Sequence, residues 1–225
     1  TDNPTILKSL DLYGAKLITV ENSSVKLRSK SDHKNEEENQ ENQEILADSY
    51  VFPEKLSKKY LIVSTGFDKL LLLKHLLQKH STSTILIFCN TLQSCERLAN
   101  LFNLTYLSNQ LTEKQKISTI KKFHSKKIKI LIATNQLSRG MDLESEIVIE
   151  YESSKNIENF IHRVGRTARG GSEGLALSIL KKDQVSFFKQ MVKKYTKVRS
   201  LKYDKEEIEG FREEMEKSLE NLKKW

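Results

Sequence analysis

Residues 85–133 read ILIFCNTLQSCERLANLFNLTYLSNQLTEKQKISTIKKFHSKKIKILIA, and the changes of period within them decide the fold. Ile85 to Phe88 is a continuous apolar run, too short for a helix and bounded by polar residues, and so predicts a buried strand. Leu92, Cys95, Leu98, Ala99 and Phe102 then recur at steps of three and four, as do Ile117, Ile120 and Phe123, which predicts helices over 91–102 and 112–123. Tyr106-Leu107 and Ile128 to Ala133 are again short apolar runs. The same alternation continues outward. A strand from Leu56 to Val63 and a leucine-rich helix from Phe67 to about Gln78 lie upstream, and strands at Ile147 to Ile149 and Leu175 to Leu180 lie downstream. Strands that are apolar throughout belong to a sheet covered on both faces. The expected fold is therefore an α/β sandwich with a mainly parallel sheet flanked by helices. Ligands of such sheets bind outside the carboxyl ends of the strands, so the loops after Phe88, Ala133 and Ile149 are the first places to look.

The remaining composition fits this reading. The 225 residues, 37% of them hydrophobic, suffice for one large domain or two small ones. No apolar run approaches the roughly 20 residues of a membrane-spanning helix, the longest leucine stretch being Leu70 to Leu73. No export signal opens the chain, and Thr1 reads as a position inside a longer protein. Cys89 and Cys95 are too few for a zinc site or a disulfide framework, which suits a reducing compartment.

The net charge of +8 is unevenly spread. Seven acids against Lys34 between Asp32 and Asp48 make that stretch −6, which leaves +14 elsewhere and points to a polyanionic partner. Residues 29–48, SKSDHKNEEENQENQEILAD, have almost no large apolar side chains and are expected to form a mobile acidic insertion, entered from a strand at Lys16 to Val20. Ile208, Phe211, Met215, Leu219, Leu222 and Trp225 recur at helical steps, so the chain divides into a domain over 1–203 and an amphipathic helix over 204–225 that packs on it. Lys189, Lys193, Lys194, Lys197 and Arg199 interleave with Phe187, Phe188 and Tyr195. Helical spacing of Phe188, Met191, Val192 and Tyr195 favours aromatics in the core and solvated lysines over stacked bases.

Chemistry concentrates in two segments. HRVGRTARGG, residues 162–171, repeats arginine every third residue at Arg163, Arg166 and Arg169. On one helix face, three guanidiniums repel one another and gain from a polyphosphate that accepts their planar forks. ATNQLSRGMD, residues 133–142, leaves a strand end with the Thr134 hydroxyl, the Arg139 cation, Gly140 for close backbone approach and Asp142 for a sugar hydroxyl.

With these segments, the chain resembles the second RecA-like lobe of the DEAD-box RNA helicases over about residues 1–195. ILIFCNT at 85–91, SRGMD at 138–142 and HRVGRTAR at 162–169 resemble the family's fourth, fifth and sixth motifs, and IVIEY at 147–151 resembles the strand between the last two. Residues 1–20 are similar to the segment after the third motif, which puts the first lobe immediately upstream. The leading and flanking segments are most similar to a nucleolar subfamily that assembles the large ribosomal subunit.

The resemblance implies an RNA-dependent ATPase and helicase whose ATP and magnesium are gripped by the first lobe, since neither GxxxxGK[ST] nor a DEAD-like run occurs here. It makes Arg166 and Arg169 arginine fingers on the γ-phosphate, and Gly140 and Asp142 further ATP contacts. Arg139, His162 and Arg163 couple the lobes, and Asn90, Thr91, Lys116 and Thr134 meet the RNA backbone without reading sequence. Implied partners are RNA, the first lobe in cis and a protein cofactor, in the nucleolus or otherwise the cytoplasm. The fragment alone is expected to be inactive. Glu113 and Lys116 stand where the family has Gln-x-x-Arg, Ser108-Asn109-Gln110 where it has His-Gly-Asp, and Asn135 where an aspartate is frequent. The alternative is a binding module that keeps the fold without the ATP chemistry. Intact Arg166, Arg169 and Asp142 argue against it.

Overall fold

A computed structural model describes residues 52–138 and 141–223. The strand expected at 16–20, the insertion at 29–48, and Arg139, Gly140 and Trp225 lie outside the described residues. Seven parallel strands form one sheet in the order β3-β4-β2-β5-β6-β1-β7. They are β1 (Leu56–Val63), β2 (Ile85–Cys89), β3 (Thr105–Tyr106), β4 (Ile130–Thr134), β5 (Ile147–Glu150), β6 (Gly174–Lys181) and β7 (Arg199–Ser200). All five residues of β2 and all four of β5 are buried, as a sheet covered on both sides requires.

The pleat sorts these residues between two layers. Ile85, Ile87 and Cys89 join Leu61, Val63 and Ile149 under α1 (Gly66–Lys79) and α2 (Leu92–Phe102). Leu86, Phe88, Leu131 and Val148 face the other way, onto Phe123 of α3 (Glu113–His124). On that same face α5 (Ile157–Val164) and α6 (Val185–Val192) supply Phe160, Val164, Phe188 and Val192 around Tyr60, while α4 (Asn135–Ser138) is a single turn after β4. Three threonines start helices where the apolar period starts. Thr65 and Thr112 form capping boxes with Asp68 and Gln115, and Thr91 accepts the Ser94 amide at 3.1 Å, each cap stabilising by about 1 kcal/mol.

The tail departs from the single helix expected over 204–225. Asp204 caps a short α7 (Lys205–Glu209), the chain breaks at Gly210, and α8 (Arg212–Lys223) follows. Ile208 and Met215 sit in the core cluster with α1 and α2, and Lys74 bridges Glu214 at 2.7 Å. Packing also fixes one glycine. A Cβ on Gly174 would lie 2.4 Å from the Ala168 amide nitrogen, so β6 can begin beside that turn only as glycine.

Lys69, on α1, is 6% exposed, and its Nζ lies 4.9 Å from the Tyr151 ring centre rather than on a carboxylate. Burial lowers its pKa from 10.5 to about 8, Glu152 opposing. The folded chain therefore binds fewer protons than the unfolded chain between about pH 8 and 10.5, and this group's contribution to stability rises with pH across that window. Lys69→Met should be more stable than wild type at pH 7, with the difference shrinking by pH 10. Denaturant titrations giving parallel pH profiles for the two proteins would contradict this.

Candidate nucleic-acid and nucleotide interface

The chain leaving β2 turns toward β3, and the chain leaving the adjacent β5 turns toward β6, so the loops diverge and open a crevice at the carboxyl ends. There lies a polar cleft of about 580 Å³, lined by residues that include Asn90, Thr91, Thr134, Asn135, Lys155 and Asn159. Its floor is the Arg163 guanidinium, 2% exposed. Arg163 Nη1 donates to Glu150 Oε1 at 3.2 Å and to the Glu152 carbonyl, Nη2 donates to Asn90 Oδ1 at 2.7 Å, and Nε donates to Asn135 Oδ1. Glu150 is wholly buried and also accepts from Ser178 Oγ at 2.6 Å and from Ser154 Oγ. Glu152 accepts the Asn90 amide at 2.6 Å and Ser94 Oγ at 2.8 Å. One guanidinium thus ties the loops after β2, β4 and β5 together. Buried charge persists because each partner is hydrogen-bonded.

Arg163 stands in the last turn of α5, which Gly165 caps, so the three arginines do not share a helix face. The turn beyond sends Arg166 and Arg169 to a second cleft of about 260 Å³, lined also by His124, Glu144 and Thr167. Arg166 Nη1 donates to the Met141 carbonyl at 2.9 Å, while its Nε is buried without a partner. Burial first, and then neighbouring Arg169, lower the Arg166 pKa against the pull of Asp142 and Glu144. Arg169 Nη1 lies 3.5 Å from Asp142 Oδ1 and 3.4 Å from Glu144 Oε1, and its Nε donates to the Gly165 carbonyl at 2.8 Å. The Asp142 side chain is about half exposed beside them. Two partly desolvated guanidiniums side by side form a surface that an anion would relieve. Among the described residues, no group of three or more His, Cys, Asp or Glu comes together to hold a metal ion.

Residues 68–171 match the helicase conserved C-terminal domain. The ATP-dependent RNA helicase DDX51 of Danio rerio is 33% identical over 199 residues, 85% of this chain and 28% of that protein. The ATP-dependent rRNA helicase RRP3 of Candida albicans is 33% identical over 141 residues, 60% of this chain and 26% of that protein. A crystal structure of a DEAD box protein from Methanococcus jannaschii, 28% identical, superposes with a TM-score of 0.59 over 72% of this chain and 48% of that one. The chain is a C-terminal RecA-like lobe of the DEAD-box helicases. It spans only about a quarter to a third of the length of these two relatives.

Within the DEAD-box lobe, Asn90, Thr91 and Thr134 come together in the first cleft. Lys116 does not line it: its Nζ is engaged by Glu113 at 2.7 Å and its side chain is 12% exposed. Thr91 also has a structural duty as the α2 N-cap, its hydroxyl donating to Ser94 Oγ. Asp142, Arg166 and Arg169 meet at the second cleft, and His162 is exposed on α5. Arg163, expected to couple the lobes, is buried here and tethers three loops. Glu150 and Glu152, which hold that tether, were not singled out by sequence. The available signal was Glu150 itself, a carboxylate inside the apolar run IVIEY, which must find donors if buried.

Proposed function

We propose that this lobe is half of an RNA-dependent ATPase. It closes on an ATP-bearing first lobe, Arg166 and Arg169 meet the γ-phosphate, and Asp142 holds the ribose. Asn90, Thr91 and Thr134 receive the RNA backbone, Gly140 adds to the ATP contacts, and Arg139 and His162 couple the lobes. Magnesium would be held by the first lobe. The observation that carries this reading is the end of α5, where Arg163 organises one cleft and Arg166 lines the other three residues later. A shift at either cleft is therefore felt at its neighbour through one turn of chain. Because arginine fingers act on charge that develops only in the transition state, ATP turnover needs both lobes. Relatives named as rRNA helicases support a place in ribosome assembly at the nucleolus.

The 225-residue chain should show no RNA-stimulated ATP hydrolysis, whereas the same chain rejoined to a first lobe should. Asn90→Ala in the joined protein should reduce stimulation by RNA while leaving RNA-free turnover in place. Turnover by the lone lobe, or stimulation unaffected by Asn90→Ala, would refute the proposal.

A further inference from the structure

Residues 184–203 contain Lys189, Lys193, Lys194, Lys197, Arg199 and Lys202 and no acid, and none of these six forms an ion pair among the described residues. In the same segment Phe188 is fully buried, but Phe187, one position earlier on α6, is 54% exposed. The expectation that these aromatics are core residues therefore fails at Phe187. Along α6, Phe188 and Val192 face inward, four residues apart. Phe187 is on the outward side of α6, and Lys193 and Lys194, both exposed, follow in the turn that ends the helix. A surface with only a solubility role would space its cations with acids and leave no phenyl ring among them.

The patch also has a position relative to the first cleft. α5 and α6 follow the adjacent parallel strands β5 and β6 and pack on the same face of the sheet, with Phe160 and Phe188 in edge contact at 5.7 Å. Lys155 and Asn159, at the start of α5, line the cleft. The first turn of α6, with Phe187, is thus the next element beyond the cleft wall, at the same carboxyl-end rim.

We infer that the outer face of α6 extends the RNA surface of this lobe past the cleft, Phe187 stacking on a base and Lys193 and Lys194 meeting phosphates of the same strand. This rests on the reading of the cleft as an RNA site. An exposed ring on a segment of unpaired cations suits a single strand, which offers π-faces and phosphates together, better than an acidic protein surface, which offers charge alone.

The test uses the 225-residue chain with labelled single-stranded oligoadenylates of about six and about twenty nucleotides, the shorter spanning little more than one site. Phe187→Ala should weaken the long oligomer at least about fivefold and leave the short one unchanged. The double variant Lys193→Gln, Lys194→Gln should reduce the slope of log affinity against log salt by about 0.7 per lost phosphate contact, again for the long oligomer only. Asn90→Ala should weaken the short one. If Asn90→Ala binds the short oligomer like wild type, the cleft reading is wrong, whatever the α6 variants do. If both α6 variants bind the long oligomer like wild type, the extension is refuted, and so it is if those variants lose only an acidic polyglutamate peptide. Phe187 is too exposed for its loss to unfold the lobe, which circular dichroism checks.

Discussion

Lysine in place of Arg166, in the lobe rejoined to an ATP-binding first lobe, is expected to lower kcat for ATP by at least about 10²-fold with little change in RNA affinity without nucleotide. Lysine keeps the charge. What it loses is the planar fork, one arm of which is held by the Met141 carbonyl at 2.9 Å at the edge of the second cleft. An ammonium can satisfy that carbonyl or a phosphate oxygen, and cannot span both. The lobe should still fold, because Arg166 is only partly buried and forms no ion pair among the described residues. If the residue only braces the Met141 turn, the substitution should lower stability and turnover together, and urea titration beside steady-state kinetics separates the two cases. Wild-type kcat in a folded variant would remove Arg166 from the reaction.

The sheet was legible because strands buried on both faces leave an unbroken apolar signature, and helix starts were legible because the apolar period begins within two residues of the threonine caps Thr65, Thr91 and Thr112. Helix ends were not. Arginines three apart suggest a helix continuing through Arg169, yet α5 stops at Gly165 and Ala168 takes a left-handed conformation with φ of 59°. Local period cannot report that stop, since the close approach of Gly174 to Ala168, where a Cβ would lie 2.4 Å from the amide nitrogen, exists only once β6 is in the sheet. The tail shows the same limit, its stripe of apolar residues running without interruption across the break at Gly210. Of the site, the residues presenting hydroxyls, amides and guanidiniums to the clefts were named from the motifs. The residues that hold them in place were not, because Glu150 finds Arg163, Ser154 and Ser178 only once β5, α5 and β6 are assembled. Phe187 was misassigned for a simpler reason. A stripe at helical spacing identifies the buried face and says nothing of the neighbour about 100° around the helix.

That supporting network sets the largest expected effect on stability. Arg163→Met should cost about 3–5 kcal/mol, because it removes the cation and leaves Glu150, fully buried, with two serine hydroxyls for its charge. For a chain of this size, 1 kcal/mol corresponds to about 2–4 °C, so the melting temperature should fall by more than about 6 °C. Adding Glu150→Gln to Arg163→Met should recover at least about 1 kcal/mol at pH 7, since the glutamine amide carries no charge to desolvate. A deficit not relieved by the second substitution would show lost packing against Phe88, whose ring centre lies 5.3 Å from the guanidinium, rather than an abandoned charge. The same double variant separates folding from function. It should regain stability yet stay deficient in RNA stimulation, because neither replacement can donate to Asn90 Oδ1 and to the Glu152 carbonyl at once and so hold the cleft open.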